Sequence, residues 1–289
     1  MSAVLITGAG GFIARRLAQT LNDAGQTVLG ASHSAAKLPG YQRVFPASLG
    51  ETLLPALAAG PVDAMVHSAL ATGPDAYRLN VEGTSRWLDE GRAAGVRLQV
   101  LLSTLSAEAD ALSDYGRAKW ALEQRFAAAD EIAFRLGVVV GDGGMYARMR
   151  RSATRLPITP LLDGGRQLLY VVGIDALCAV LGDAIASNGA GLRGRSWNLV
   201  QPQPVTLREL IEAMQRQAGR RSLLLPVPTA PVLAGLRLIE SVPMLRLPVS
   251  SSNVRGLRQQ GQRRIDTDWE RFGQPVQPLE ALIAAAAGG

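Results

Sequence analysis

Tyr115 and Lys119 stand four residues apart in Tyr115-Gly116-Arg117-Ala118-Lys119, in a chain with five tyrosines and two lysines. On a helix that spacing puts both side chains on one face. Ser113 or Asp114 can cap such a helix and leave Tyr115 in its first turn. An ammonium beside a phenol favours the phenolate, so a pKa of about 10 is expected to fall toward the working range. The pair suits proton exchange with a carbonyl or alcohol oxygen. Upstream, Val100-Leu101-Leu102-Ser103-Thr104 reads as a strand ending in two hydroxyls. The carboxyl ends of parallel strands are where an α/β sheet places its ligand contacts. A hydroxyl at Thr104, or at Ser103, can polarise a substrate oxygen there. Tyr115, Lys119, Thr104 and Ser103 are the catalytic candidates.

A second constellation lies near the N-terminus, where Leu5-Ile6-Thr7-Gly8-Ala9-Gly10-Gly11-Phe12-Ile13-Ala14 runs from an apolar strand into a helical pattern. It departs from G-x-G-x-x-G, since Ile13 takes the place of the third glycine. It fits T-G-x-x-G-x-x-A through Gly8, Gly11 and Ala14. Gly8 permits a tight turn, Gly11 lets backbone approach a diphosphate, and Ala14 brings the helix close to its strand. Free N–H groups and the positive end of the helix dipole then face the phosphates. Gly8, Gly11, Phe12 and Ile13 are expected to bind a dinucleotide, and Lys119 to hold its nicotinamide ribose. The next strand ends in Leu29-Gly30-Ala31-Ser32-His33-Ser34, without the carboxylate that accepts the ribose 2′-hydroxyl of NAD. Ser32, His33 and Ser34, with Lys37, are expected to surround a 2′-phosphate. NADP is therefore the preferred cofactor and NAD the alternative.

The elements that must position these groups follow from hydrophobic patterning. Strands are expected at 3–7, 27–31, 43–45, 64–67, 98–103 and 132–138, and helices at 11–23, 51–59, 75–94 and 115–129. This alternation predicts an α/β fold with a Rossmann-type doubly wound parallel sheet. After Gly141-Asp142-Gly143-Gly144 the rhythm loosens. A basic helix is expected at 145–155, then a breaker region at 157–160, a strand at 170–172, a helix at 174–186 and a last core strand at 196–199. Thr206 with Glu209 three residues later reads as a capping box. Pro226, Pro228, Pro231, Pro243 and Pro248 are expected to break the remainder into short elements. The domain reading is a dinucleotide-binding unit of 1–142 and 169–200, with a small C-terminal substrate-side unit of 143–168 and 201–289.

Composition excludes several classes. With 47% hydrophobic and 19% charged residues the 289-residue chain can bury a large core. The net charge of +6 comes almost wholly from arginine, since Lys37 and Lys119 are the two lysines. Neither the cluster at Arg148, Arg150, Arg151 and Arg155 nor that at Arg255, Arg258, Arg263 and Arg264 is interleaved with aromatics, so nucleic acid is not expected as a partner. Cys178 is the one cysteine, and His33 and His67 are the two histidines, so no metal site is expected. The N-terminus reads as a buried strand, and no apolar run approaches a membrane span. A soluble, cytoplasmic protein is expected.

Taken together, these residues resemble the extended or atypical short-chain dehydrogenase/reductase superfamily, the NAD-dependent epimerase/dehydratase family. The resemblance is strongest over residues 3–141. Beyond Gly8, Gly11, Ala14, Tyr115 and Lys119, it includes Val66-His67-Ser68-Ala69, Asn80-Val81-Glu82-Gly83-Thr84, Arg135-Leu136-Gly137 and Val172-Gly173-Ile174-Asp175-Ala176-Leu177. It implies that His67, Ser68, Ala69 and Asn80 line the cofactor cleft and that Thr104 is the catalytic hydroxyl. Two departures weaken a nucleotide-sugar assignment: Val138 stands where such members carry Asn, and Leu168 where they carry Arg, with Arg166 only nearby. The leading expectation is an NAD(P)-dependent oxidoreductase moving hydride between nicotinamide and a carbonyl or alcohol substrate. A nucleotide-sugar epimerase or dehydratase, and a noncatalytic dinucleotide-binding scaffold or sensor, are the alternatives. The resemblance also implies a homodimer through the helices near 75–94 and 115–129.

Overall fold

A computed structural model describes residues 3–34, 37–231, 261 and 264–288. Pro243, Pro248, Arg255, Arg258 and Arg263 lie outside the described residues, as does much of the expected substrate-side unit. The chain begins β1 (Ala3–Thr7), α1 (Phe12–Asp23), β2 (Thr27–Ser32), β3 (Arg43–Pro46), α2 (Leu54–Leu57), β4 (Val62–His67), α3 (Ala76–Arg78), a π-helical turn (Leu79–Gly83) and α4 (Thr84–Ala93). It continues β5 (Leu98–Thr104), α5 (Asp114–Ala128), β6 (Ile132–Leu136), β7 (Val138–Val140), α6 (Gly144–Arg155), β8 (Ile158–Leu162), β9 (Leu168–Leu169), β10 (Val171–Gly173) and α7 (Ile174–Ala186). The last described elements are β11 (Arg195–Asn198), β12 (Val205–Thr206), α8 (Leu207–Gln217), β13 (Leu223–Val227) and α9 (Leu279–Gly288).

Seven strands form one parallel sheet in the order β11-β6-β5-β4-β1-β2-β3. Helices cover both faces, so the central strands are buried throughout: all five residues of β1 and all seven of β5. Val4, Ile6, Val100 and Leu102 pack with Leu17 and Leu21 of α1 and Leu177 and Leu181 of α7 on one face. On the other, Leu101 meets Leu88 of α4 and Leu122 and Phe126 of α5. Strand order reverses at β1, which pairs with β2 on one side and β4 on the other. The crevice above such a switch point is the ligand position of open α/β sheets. The glycine turn between β1 and α1 lies there.

Four expectations change in detail. The helix expected over 51–59 shrinks to α2, because the Glu51 carboxylate accepts the Ser48 N–H (2.7 Å) and closes a turn instead. The helix over 75–94 is interrupted by the π-helical turn at Leu79–Gly83. The strand over 132–138 breaks at Gly137, where an added Cβ would lie 2.0 Å from the Tyr170 carbonyl oxygen. There the chain leaves the large sheet, and β7 pairs with β10. The expected breaker region is strand β8, paired in parallel with β13. Pro160 and Pro226 are tolerated because the ribbon has only two strands, so each has an edge that needs no N–H. A second apolar cluster gathers Val138, Tyr146, Leu161, Leu210, Met214 and Ile283.

Candidate functional site

At the glycine turn the backbone is constrained from all sides. Gly8 has φ +66°, and a Cβ there would sit 2.8 Å from Ala69 Cα. Only glycine meets both demands without strain. The Gly11 N–H donates to the Gly8 carbonyl (2.8 Å), closing the turn. Helix α1 starts with no side-chain cap and no acidic residue in its first turn. The N–H groups at its start therefore face the crevice uncompensated, a fit for the diphosphate of a dinucleotide. Phe12 follows at the first position of the helix. Its ring lies against the 141–144 loop so closely that a Cβ on Gly141 or Gly143 would come within 2.5 and 2.3 Å of it. That leaves its N–H for a ligand. Ile13 is partly buried against the main core.

The neighbouring strand ends are tied to this turn. The Ser68 hydroxyl donates to the Thr7 carbonyl (2.6 Å), and the Ser68 and Ala69 N–H groups reach the Thr7 hydroxyl. Asn80, in the π-helical turn, accepts from the Ala71 N–H and donates to the carbonyls of Ala71 and Ala76. Its amide is spent clamping the loop after β4. Ser32 is buried with its hydroxyl facing Gly10, and His33 and Ser34 are exposed just beyond. Tyr41 escaped the sequence reading. Its hydroxyl reaches the carbonyls of Ala9 (3.2 Å) and Ala14 (2.9 Å), and its ring lies against Gly30, bracing the turn from below. Burial pushes the phenol's pKa up. A tyrosine in a polar loop carries no periodic signal that would have revealed it.

His67 requires a correction. The pleat sends it, with Met65, to the face covered by α4 and α5. There its Nε2 bonds Gln99 Oε1 (2.8 Å) and its ring meets Phe126 edge-on. It is 2% exposed, and burial pushes its pKa down to about 4. It is a neutral core side chain and does not line the cleft.

The same pleat separates the two hydroxyls of β5. Ser103 shares a face with Gln99 and Leu101 and donates to Glu123 of α5. Thr104, at the strand end, contacts Ser106 (3.2 Å) and is the hydrogen-bond partner of Tyr115. Ser113 caps α5, accepting from the Gly116 N–H (3.0 Å), and puts Tyr115 in the first turn. A Cβ on Gly116 would lie 2.4 Å from the Ser106 carbonyl oxygen, so helix and loop are in close contact there.

Tyr115 is 39% exposed. Burial around its hydroxyl nevertheless pushes the pKa up to about 12, against a downward pull from Thr104. The downward pull comes from Thr104 and not, as expected, from Lys119, and desolvation outweighs it. Lys119 is 5% exposed and donates to the Leu102 carbonyl at 2.6 Å, which directs its charge to the strand backbone. Burial pushes its pKa down to about 8, opposed by Glu123. The result is a protonated phenol beside a second hydroxyl at the strand end, with a buried lysine behind them. Such a set can donate a proton to an oxygen held between the two hydroxyls.

Residues 4–132 match the sequence model of the NAD dependent epimerase/dehydratase family. A 3-diazoavenalumate denitrifying reductase from Streptomyces is 28% identical over 223 residues, 65% of this chain and 73% of that protein. The Bordetella bronchiseptica enzyme WbmH, solved in complex with NAD+, superposes with a TM-score of 0.71 at 19% identity, over 100% of this chain and 97% of its own. The Thermus thermophilus UDP-glucose 4-epimerase, complexed with NAD, gives a TM-score of 0.66 at 19% identity, over 91% of this chain and 100% of its own.

Proposed function

We propose that this chain, an extended short-chain dehydrogenase/reductase-type enzyme belonging through residues 4–132 to the NAD-dependent epimerase/dehydratase family, reduces a carbonyl substrate to an alcohol. The observation that carries the reading is the Tyr115–Thr104 hydroxyl pair at the carboxyl end of β5, with Lys119 buried behind it. A reduced nicotinamide, when bound, supplies the hydride that adds to the carbonyl carbon. Thr104 holds the carbonyl oxygen and polarises it. Tyr115 gives that oxygen its proton. With its pKa near 12 the phenol is protonated at neutral pH, the state in which it can give up a proton. Lys119 would hold the nicotinamide ribose and stabilise the phenolate left behind, which recovers its proton from solvent.

Gly8, Gly11 and the N–H groups of Phe12 and Ile13 hold the diphosphate in this reading, and Ser68, Ala69 and Asn80 shape the cleft wall. Ser32, His33 and Ser34 receive the adenosine ribose. With no carboxylate there to repel a 2′-phosphate, NADP is favoured, although WbmH and the Thermus epimerase were solved with NAD. The relative that is itself a reductase supports net reduction. Val138 supports it too: its side chain lies in the second apolar cluster and offers a sugar nucleotide nothing polar. No described helix is long and apolar enough to cross a membrane. A homodimer through α4 and α5 is part of the proposal, and sedimentation would reveal it.

The test is net oxidation of NADPH, and of NADH, against a panel of aldehydes and ketones. Turnover with at least one member is expected, with NADPH the better donor. A second reading, nucleotide-sugar epimerisation, draws on the named activity of the Thermus neighbour. Dinucleotide released only on denaturation, with interconversion of a nucleotide sugar and no net consumption of NAD(P)H, would replace the reductase by the epimerase.

A further inference from the structure

Helix α5 carries a third chemical group on the face that presents Tyr115 and Lys119. Glu123 follows Lys119 by four residues, so phenol, ammonium and carboxylate form a ladder at i, i+4 and i+8. Glu123 is 1% exposed, deep beneath the crevice and out of reach of substrate. Two elements hold it. The Ser103 hydroxyl of β5 donates to one carboxylate oxygen. Arg135 of β6 grips the carboxylate through Nε (2.9 Å) and Nη2 (2.7 Å). Lys119 bonds the backbone of Leu102, the residue immediately before Ser103. Successive residues of one strand therefore hold the ammonium and the carboxylate.

We propose that Glu123, anchored by Ser103 and Arg135, is a positioning residue that keeps Lys119 protonated and seated behind Tyr115. This rests on the carbonyl-reductase reading for its consequence but not for its test. The physical need is plain: a buried ammonium loses its hydration, and a neutral lysine could neither stabilise a phenolate nor attract a ribose hydroxyl. The groups facing Lys119 are Tyr115 and Glu123 on its own helix and His67 on β4. Arg135 on β6, with its second partner Glu108 at 3.7 Å, stands behind Glu123. His67 is neutral, and Arg135 opposes the lysine's charge. Among these groups Glu123 is the carboxylate that pulls on the ammonium, through space rather than through a direct ion pair. Burial already draws Lys119 down to about 8, against Glu123's upward pull, so losing the carboxylate would lower it further and reduce the charged fraction of the amine.

The chain has only two lysines, which makes the test direct. Protein labelled with 13C at lysine Cε gives two side-chain resonances, and Lys37→Arg leaves that of Lys119 alone. Its titration is followed by NMR without substrate or dinucleotide. Glu123→Gln should lower the Lys119 midpoint by about one pH unit or more, since it removes the compensating charge and leaves Arg135 unopposed. Arg135→Gln should move the midpoint the other way, because Glu123 is then no longer neutralised by the guanidinium. Breaking a buried pair is costly, so the Glu123 variant can fail to fold. In that event Glu123→Asp decides: it keeps the charge but draws it back toward the helix, and a lowered Lys119 midpoint supports the proposal. Opposite shifts support the proposal, and loose packing would not produce them. A Lys119 midpoint unmoved in either folded variant overturns it. Failure of the reductase reading would show separately, as no NAD(P)H consumption across the carbonyl panel.

Discussion

The glycine turn and the first turn of α5 border the same crevice but work by different means. In the proposed site the backbone provides the contacts at the turn between β1 and α1, and side chains matter chiefly by being absent or turned away. Gly8 must lack a Cβ, and the Phe12 ring faces the 141–144 loop. At α5 the backbone is an ordinary capped helix, and the proposed function resides in desolvated side chains. Tyr115 and Lys119 both have shifted pKa values because of what surrounds them. A backbone site is therefore damaged by adding atoms, and a side-chain site by removing them.

Four measurements would break or sharpen that contrast. The largest effect belongs to Tyr115→Phe. Turnover should fall by roughly 10²–10⁴-fold, the usual worth of a general acid, while NADPH affinity by fluorescence titration stays close to wild type. Full turnover in that variant would end the proposed mechanism. Gly8→Ala should do the reverse, abolishing the thermal shift given by NADPH. It should also cost about 1–3 kcal/mol of stability, from a positive φ and a Cβ 2.8 Å from Ala69.

Lys119 ties function to stability. Its folded pKa of about 8 lies below the ordinary 10.5, so between those values the unfolded chain binds a proton that the folded one has released. Stability should therefore rise with pH across that window, and the cost of the buried charge is fully present below it. Lys119→Met should remove the rise and lift the melting temperature at pH 7 by roughly 2–4 °C, with turnover lost. Melting curves at pH 7, 8, 9 and 10 would read this. The smallest effect is expected for Tyr41→Phe. It loses the contacts to the Ala9 and Ala14 carbonyls, about 1 kcal/mol, and should weaken NADPH binding with kcat unchanged.

Much of the frame was legible without coordinates because it is periodic and local. Buried runs such as Leu98–Thr104, the glycines at positions 8 and 11, the Ser113 cap and the Thr206–Glu209 capping box all depend on residues close in the chain. The weaker readings failed where partners are distant. Nothing near Gly137 announces that the Tyr170 carbonyl will press against it, and a proline pair at 157 and 160 looks like a breaker until Leu223–Val227 arrives to pair with it.

The amino-acid sequence by itself determined which groups exist and how they are spaced: a phenol, an ammonium and a carboxylate every fourth residue, and hydroxyls at a strand end. Tertiary structure alone decided their surroundings. It turned Ser103 to Glu123 and left Thr104 to Tyr115, buried His67 against Phe126, and set Tyr41 under the glycine turn. Spacing is a property of the covalent chain and its helical period. Desolvation and hydrogen-bond partners come from elements remote in sequence, and they govern the charge each group carries.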